Sequence, residues 1–262
     1  MIGSRGDGRA APGRGVPRAT ATPVTYALIA ACAVAFVCSP AAGLTTGHGT
    51  GDALVTAQRA LYARWGVIPA DLLAGEPRAL LTPVTALFVH GGWLHLLGNM
   101  LFLQVFGVMA EKRLGPLRYL ALYVGCGALA LCGYAVAHAD SAQTLVGASG
   151  AISAVLGAFL CLFPGARVTS LFPFLFFLPL RFPAWVVLPF WVSLQWWAAS
   201  GRSAGPGVAY LAHLIGFALG LLAGWAARGR PGPRPCDDQG SPRRARATVK
   251  PPAAATEGDS KP

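Results

Sequence analysis

Long apolar runs, separated by short polar or glycine- and proline-rich breaks, fill the middle of the chain, and both ends are polar and basic. By length, the runs predict membrane-spanning helices near residues 24–43, 94–110, 116–138, 147–164, 183–199 and 207–227. Each approaches the ~20 residues that cross a bilayer core. Two places break the pattern. Residues 44–93 form an insertion whose run LLTPVTALFVHGGWL is apolar but too broken to span, so it is expected to lie in the interface or dip partly into the membrane. From Thr169 to Ala199 the apolar stretch is too long for one helix, and Pro173, Pro179 and Pro183 interrupt it. SLFPFLFFLPLRFP is therefore expected as an interfacial lead-in to the fifth helix. Residues 1–22 and 228–262 are Arg, Gly, Ala and Pro mixtures with nothing to bury, which predicts disordered basic tails around one membrane domain, 23–227.

Composition agrees with the pattern. Of 262 residues, 54% are hydrophobic and 12% charged, far too apolar for a soluble domain of this size. The fold class expected is an all-α polytopic membrane protein with the lipid bilayer as its first partner. The net charge of +11 follows topology. Seventeen Lys and Arg fall in the tails and in the connections after the second and fourth helices, and four (Arg59, Arg64, Arg78, Arg202) on the opposite side. The positive-inside rule then places both termini in the cytoplasm. No basic stretch is interleaved with aromatics in the manner of a nucleic-acid surface, so nucleic acid is not an expected partner. The first apolar run, followed by CSPAAG, imitates a cleaved signal peptide, but the tail before it is long and the run exceeds an ordinary h-region. Five of six cysteines lie inside apolar runs and Cys236 sits in the basic tail, with no CxxC pair or zinc spacing, so no metal is expected.

Polar side chains at membrane depth are expensive and mark function. HGGWLHLLGNM supplies His90, His95 and Asn99; GASG supplies Ser149 between Gly147 and Gly150; AHLIGFALG supplies His213. His95 and Asn99 are four apart and share a helix face. His90 is about 140° around from His95, so the two histidines do not form a zinc stripe, and His90 is expected on the loop, bonded to backbone. Ser149 begins the fourth helix and His213 lies about two turns into the sixth, both on the outer half of the membrane. Gly216, Gly220 and Gly224 recur every fourth residue along the sixth helix, as Ser149, Ser153 and Gly157 do along the fourth. Two small-residue ridges let those helices touch.

Each feature also has an ordinary explanation, since serines pack and lone histidines bridge. Their combination points to chemistry. A serine hydroxyl becomes a nucleophile when a base takes its proton, and His213 is the candidate base. Attack on a peptide carbonyl creates an oxyanion, for which the Ser149 N–H, the Asn99 amide and the His95 ring are candidate donors. No acidic residue falls within a predicted membrane helix to orient His213, which predicts a dyad.

At these residues the sequence resembles the rhomboid family of intramembrane serine proteases. HGGWLHLLGNM matches the family's HxxxxHxxxN, GASG its serine motif, and HLIGFALG its histidine and glycine segment. The resemblance covers about residues 60–227 and is of the bacterial type. It implies a six-transmembrane-helix rhomboid fold in a bacterial plasma membrane and cleavage of single-span membrane proteins without metal or other cofactor. It also implies Ser149 as nucleophile, His213 as base and Asn99 and His95 as oxyanion donors. His90, Glu111, Gly147, Gly150, Gly216 and Gly220 would be structural support, Glu111 at the cytoplasmic end of the second helix. Residues 44–93 would be the family's first loop, and SGRSAGPG (200–207) a lid. Some relatives carry an aromatic four residues after the nucleophile, packed on the histidine; here Ser153 stands there, and no Trp-Arg pair of the family's kind is evident in the first loop.

Two other functions fit parts of the pattern. A rhomboid-like pseudoprotease that binds membrane helices would lack Ser149 or His213, and both are intact. A small transporter would have repeated halves and a charge at the midplane, and neither is found. No pattern speaks to oligomeric state.

Overall fold

The computed structural model describes residues 21–44, 46–172, 178–202 and 209–229. Nearly all of both predicted tails, and residues 203–207 of the expected lid, lie outside the described residues. The principal elements are α1 (Pro23–Val37), α2 (Asp52–Trp65), α3 (Trp93–Leu114), α4 (Pro116–Ala137), α5 (Ser149–Leu162), β1 (Arg167–Phe172), β2 (Leu178–Pro183), α6 (Ala184–Trp197) and α7 (Tyr210–Arg228).

A helix stands at each of the six predicted positions, but among the described residues three, α3, α4 and α7, are long and apolar enough to cross a membrane. The others are short: α1 has 15 residues, and α5 and α6 have 14 each. At 1.5 Å per residue α5 spans about 21 Å, less than a bilayer core of about 30 Å. It does not need to face lipid, because every residue from Gly150 to Phe159 is buried. α5 is the hub around which α3, α4, α6 and α7 pack, and its start at Ser149 is set inside the bundle.

The expected all-α class needs correction. β1 and β2 form an antiparallel hairpin in the register Arg167↔Pro183 to Phe172↔Leu178, within the stretch expected as an interfacial lead-in to the fifth helix. Proline forbids a continuous helix there, and the β-branched and aromatic residues between the prolines suit a strand. In a two-stranded ribbon both strands are edges, so Pro179 and Pro183 are tolerated. The tip, residues 173–177, lies outside the described residues.

The insertion folds as α2 followed by short helical turns (Pro69–Leu73 and Ala79–Phe88). Backbone hydrogen bonds tie it to the chain before α5, Ala70 N–H donating to Ser141 O at 3.2 Å among them. Val67 and Leu145 exchange backbone hydrogen bonds of 2.9 and 2.8 Å, and Gly147 N–H donates to Ala86 O at 2.9 Å. Arg64 lies over the Trp65 ring, 5.1 Å from its centre.

Two polar devices hold the helices in place. Glu111, 1% exposed, accepts from Val24 N–H (3.0 Å), Thr25 N–H (2.7 Å) and the Thr25 hydroxyl (2.7 Å). A carboxylate placed on the first turn of α1 satisfies N–H groups that have no partner within the helix and meets the positive end of its dipole. At the same end of the bundle, Arg113 of α3 donates to Arg228 O of α7 at 3.3 Å.

α5 and α7 meet almost backbone to backbone. A Cβ at Gly216 would fall on the Gly150 carbonyl oxygen, one at Gly220 on Ala154, one at Gly224 on Ala158, and one at Gly157 on the Phe217 carbonyl. The ridge on α5 that meets the glycines therefore runs Gly150–Ala154–Ala158, with Ser153 and Gly157 flanking it. Gly150 itself does not need to be glycine for space, since a Cβ there would sit at ordinary contact distance, 3.5 Å from Ala130 Cβ.

Candidate active site

The close α5–α7 crossing brings the two candidate residues together. His213 Nε2 lies 2.8 Å from Ser149 Oγ. His213 is buried, and Ser149, the first residue of α5, is half-buried. The chain reaches Ser149 through an extended stretch pinned by the insertion, with Gly147 at φ +124°, a conformation that side-chain-bearing residues rarely adopt. Gly147 is needed a second time for space. A Cβ there would come within 2.6 Å of His95 Nε2.

That contact places the His95 ring beside the residues leading into α5. Gly91 N–H donates to His95 Nδ1 at 3.3 Å, so in the neutral ring the proton sits on Nε2, the nitrogen facing Gly147. Asn99, one turn further along α3, is buried, and its Nδ2 has no hydrogen-bond partner. An unpartnered amide donor at this depth is costly unless something is bound to it during function. The Ser149 N–H belongs to the first turn of α5, where backbone donors lack intrahelical acceptors. The His95 and Asn99 side chains line the same cavity as Ser149.

His90 stays apart from the pair. It precedes α3, its Nδ1 donates to Phe88 O at 3.3 Å, and its ring packs edge-on against His95 with centres 5.2 Å apart. Burial, and after it the neighbouring His95 ring, pushes the His90 imidazole down to about 4, so it is neutral and braces His95.

Three residues around His213 carry no motif that marks them in the sequence. Gln195 Oε1 lies 2.8 Å from His213 Nδ1. Trp191, one turn earlier on α6, lies roughly parallel to the imidazole, with centres 6.3 Å apart and planes at 29°. Tyr210 meets the same ring edge-on at 6.2 Å. A signal for Gln195 existed: a glutamine within WVSLQWWAAS is as costly at membrane depth as the histidines. Ser153, at the position where some relatives carry an aromatic, donates its hydroxyl to Ser149 O at 2.7 Å and does not hold the histidine.

Cavities open on both sides of the pair. One of about 220 Å³ lies between α3 and α6, lined by His95, Gly98, Asn99, Phe102 and Trp191. The other, of about 470 Å³, is bounded by Leu131 and Leu145–Gly147 and by Ala209 and Ala212. Ser149 and His213 line both. Among the described residues, no group of three or more His, Cys, Asp or Glu is placed to hold a metal ion.

Fold and site together define an integral membrane protein with a partly buried serine–histidine pair at a helix crossing, lining two cavities. The chain belongs to the rhomboid family: the Rhomboid domain profile matches residues 77–230, more than half of its length. It is 35% identical over 142 residues to Rhomboid protein 1, mitochondrial, of Saccharomyces cerevisiae, an alignment covering 53% of this chain and 39% of that protein. It is also 36% identical over 77 residues to RHOMBOID-like protein 5 of Arabidopsis thaliana, covering 29% of this chain and 25% of that protein. The matched segments span well under half the length of these relatives.

Proposed function

We propose that this chain is an intramembrane serine endopeptidase that cuts single-span membrane proteins near the extracytoplasmic side by a Ser149–His213 dyad. The observation that carries the reading is the 2.8 Å approach of His213 Nε2 to Ser149 Oγ beside the unpartnered Asn99 amide. In the reaction, His213 takes the hydroxyl proton as Oγ attacks the peptide carbonyl carbon. The carbonyl oxygen becomes an oxyanion, stabilised by Asn99 Nδ2, His95 Nε2–H and the Ser149 N–H. Collapse of this intermediate breaks the C–N bond while His213 gives its proton to the leaving amine. Water, activated by the same imidazole, then releases the acyl group from Ser149.

The two cavities support a further step, in which a substrate segment lies across Ser149 with one side toward α3 and α6 and the other toward α4. An intact substrate helix shields its carbonyls with internal hydrogen bonds. Favoured substrates therefore carry Gly, Pro or similar helix-weakening residues near the outer boundary, with a small residue before the cut. On this reading the chain resides in a bacterial plasma membrane with six spans and both termini cytoplasmic, as its charge distribution supports. The test is proteolysis in proteoliposomes of a single-span reporter with a Gly-Pro break, against the same reporter with a poly-Leu span. Cleavage of the first alone, abolished by Ser149→Ala, is expected. Equal cleavage of both would overturn the substrate rule, and cleavage surviving Ser149→Ala would overturn the dyad. Binding of the reporter without cleavage would favour a pseudoprotease.

A further inference from the structure

We propose that Gln195 is a positioning residue for His213, its side-chain carbonyl holding the imidazole in the tautomer that leaves Nε2 free to take the Ser149 proton. The proposal rests on the protease reading above and deepens it. A histidine opposite a serine is a base only if the nitrogen facing the hydroxyl is bare. With the proton on Nε2 instead, the ring would donate to Ser149 and could not remove its hydrogen. Gln195 Oε1, 2.8 Å from Nδ1, is an acceptor only, so it places the proton on Nδ1 and the lone pair on Nε2. After the Ser149 proton has moved to Nε2, Nδ1–H remains bonded to the same oxygen, and the ring does not turn during the step.

The placement of Gln195 follows from the pattern of α6. Ala184, Leu188, Trp191, Gln195 and Ala198 recur at alternating spacings of four and three, one stripe of a helix, while Trp185, Phe190, Leu194 and Trp196 face outward. The stripe brings Gln195 edge-on to Nδ1 and Trp191 against the ring face, at 29° to it. α6 thus does for His213 what an aromatic at position 153 does in some relatives, while Ser153 is engaged with the Ser149 carbonyl. A carboxylate in this role, as in a soluble triad, would add a buried charge; the amide orients without one. The titratable side chain facing His213 from a neighbouring helix is His95, Tyr210 faces it from its own helix, and α5 and α6 present to it the uncharged Ser149, Trp191 and Gln195. The π turn Ala198–Arg202 that follows α6 carries Arg202.

The experiment compares the full chain with Gln195→Leu and Gln195→Glu in the reporter cleavage assay and in fluorophosphonate labelling. Gln195→Leu removes the acceptor at similar bulk, and is expected to lower kcat about 10- to 100-fold with KM changed less than about twofold. Gln195→Glu restores an acceptor, so cleavage is retained, and its charge favours the imidazolium. The acid limb of its kcat/KM profile is expected to move to higher pH by about one unit or more. A Gln195→Leu variant with wild-type kcat, or a Gln195→Glu profile superimposable on wild type, would overturn the proposal. If Gln195→Leu fails to fold, the Gln195→Glu profile alone decides. A wild type that neither cleaves nor labels would overturn the protease reading and this proposal with it, whereas an active wild type with indifferent Gln195 variants overturns this proposal alone.

Discussion

Replacing Gly220 by alanine tests whether the α5–α7 crossing creates the site. A Cβ at Gly220 would lie 2.7 Å from Ala154 Cα, with the Ala154 carbonyl closer still, where an ordinary carbon–carbon contact needs about 3.5–4.0 Å. The obstacle is backbone, so no side-chain rotation relieves it, and the helices must part by about 1 Å. Alanine raises helix propensity by about 1 kcal/mol over glycine, while overpacking costs about 1–3 kcal/mol, so the net destabilisation is expected to be about 0–2 kcal/mol. The larger effect falls on activity. Gly220 is two turns from His213, and an opening of that size stretches the 2.8 Å Ser149–His213 contact beyond hydrogen-bond reach. A misplacement of about 1 Å lowers the rate about 100-fold. Reporter cleavage and thermal unfolding of Gly220→Ala, beside Gly125→Ala as control, read this directly. Nothing lies within 4 Å of a Cβ at Gly125, so that change should leave cleavage intact and the protein as stable or slightly more so. Wild-type cleavage by Gly220→Ala would refute the view that this crossing sets the catalytic distance.

Three further predictions follow from the geometry. Asn99→Ala should lower kcat about 10²- to 10³-fold while leaving the unfolding transition nearly unmoved, because the Asn99 amide nitrogen has no hydrogen-bond partner to lose; a variant that unfolds early would give Asn99 a structural role instead. Glu111→Gln should destabilise the protein by about 2–4 kcal/mol in a denaturant titration, since a buried carboxylate with three donors loses its charge and one acceptor oxygen. Val67→Pro removes the N–H that donates to Leu145 O, and should slow fluorophosphonate labelling about tenfold by loosening the approach to Ser149; unchanged labelling would show that the insertion does not steady the site.

Much of this arrangement is legible in the sequence because membrane depth makes polar residues conspicuous and small-residue ridges are periodic. His95, Asn99, Ser149 and His213 are readable for the first reason, and the α5–α7 contact for the second. The ridge was misread by one residue on α5, because which line of a helix faces its partner depends on crossing angle, and spacing alone does not set that. Gln195 is inconspicuous because glutamine is neutral and hides in an aromatic run, although an amide at membrane depth demands a partner. The hairpin was missed for another reason. Apolar composition dominates any reading of residues 167–183, and strand pairing depends on contacts between the two halves that no local pattern displays. The same applies to the Val67–Leu145 bridge, made between residues far apart in the chain.

The most direct test of the central claim is peptide mapping of the folded, membrane-reconstituted protein after reaction with a fluorophosphonate. One phosphonyl adduct is expected, on Ser149, formed at a rate that collapses in His213→Ala. Folded protein that forms no adduct on Ser149, or forms it equally fast without His213, would contradict it.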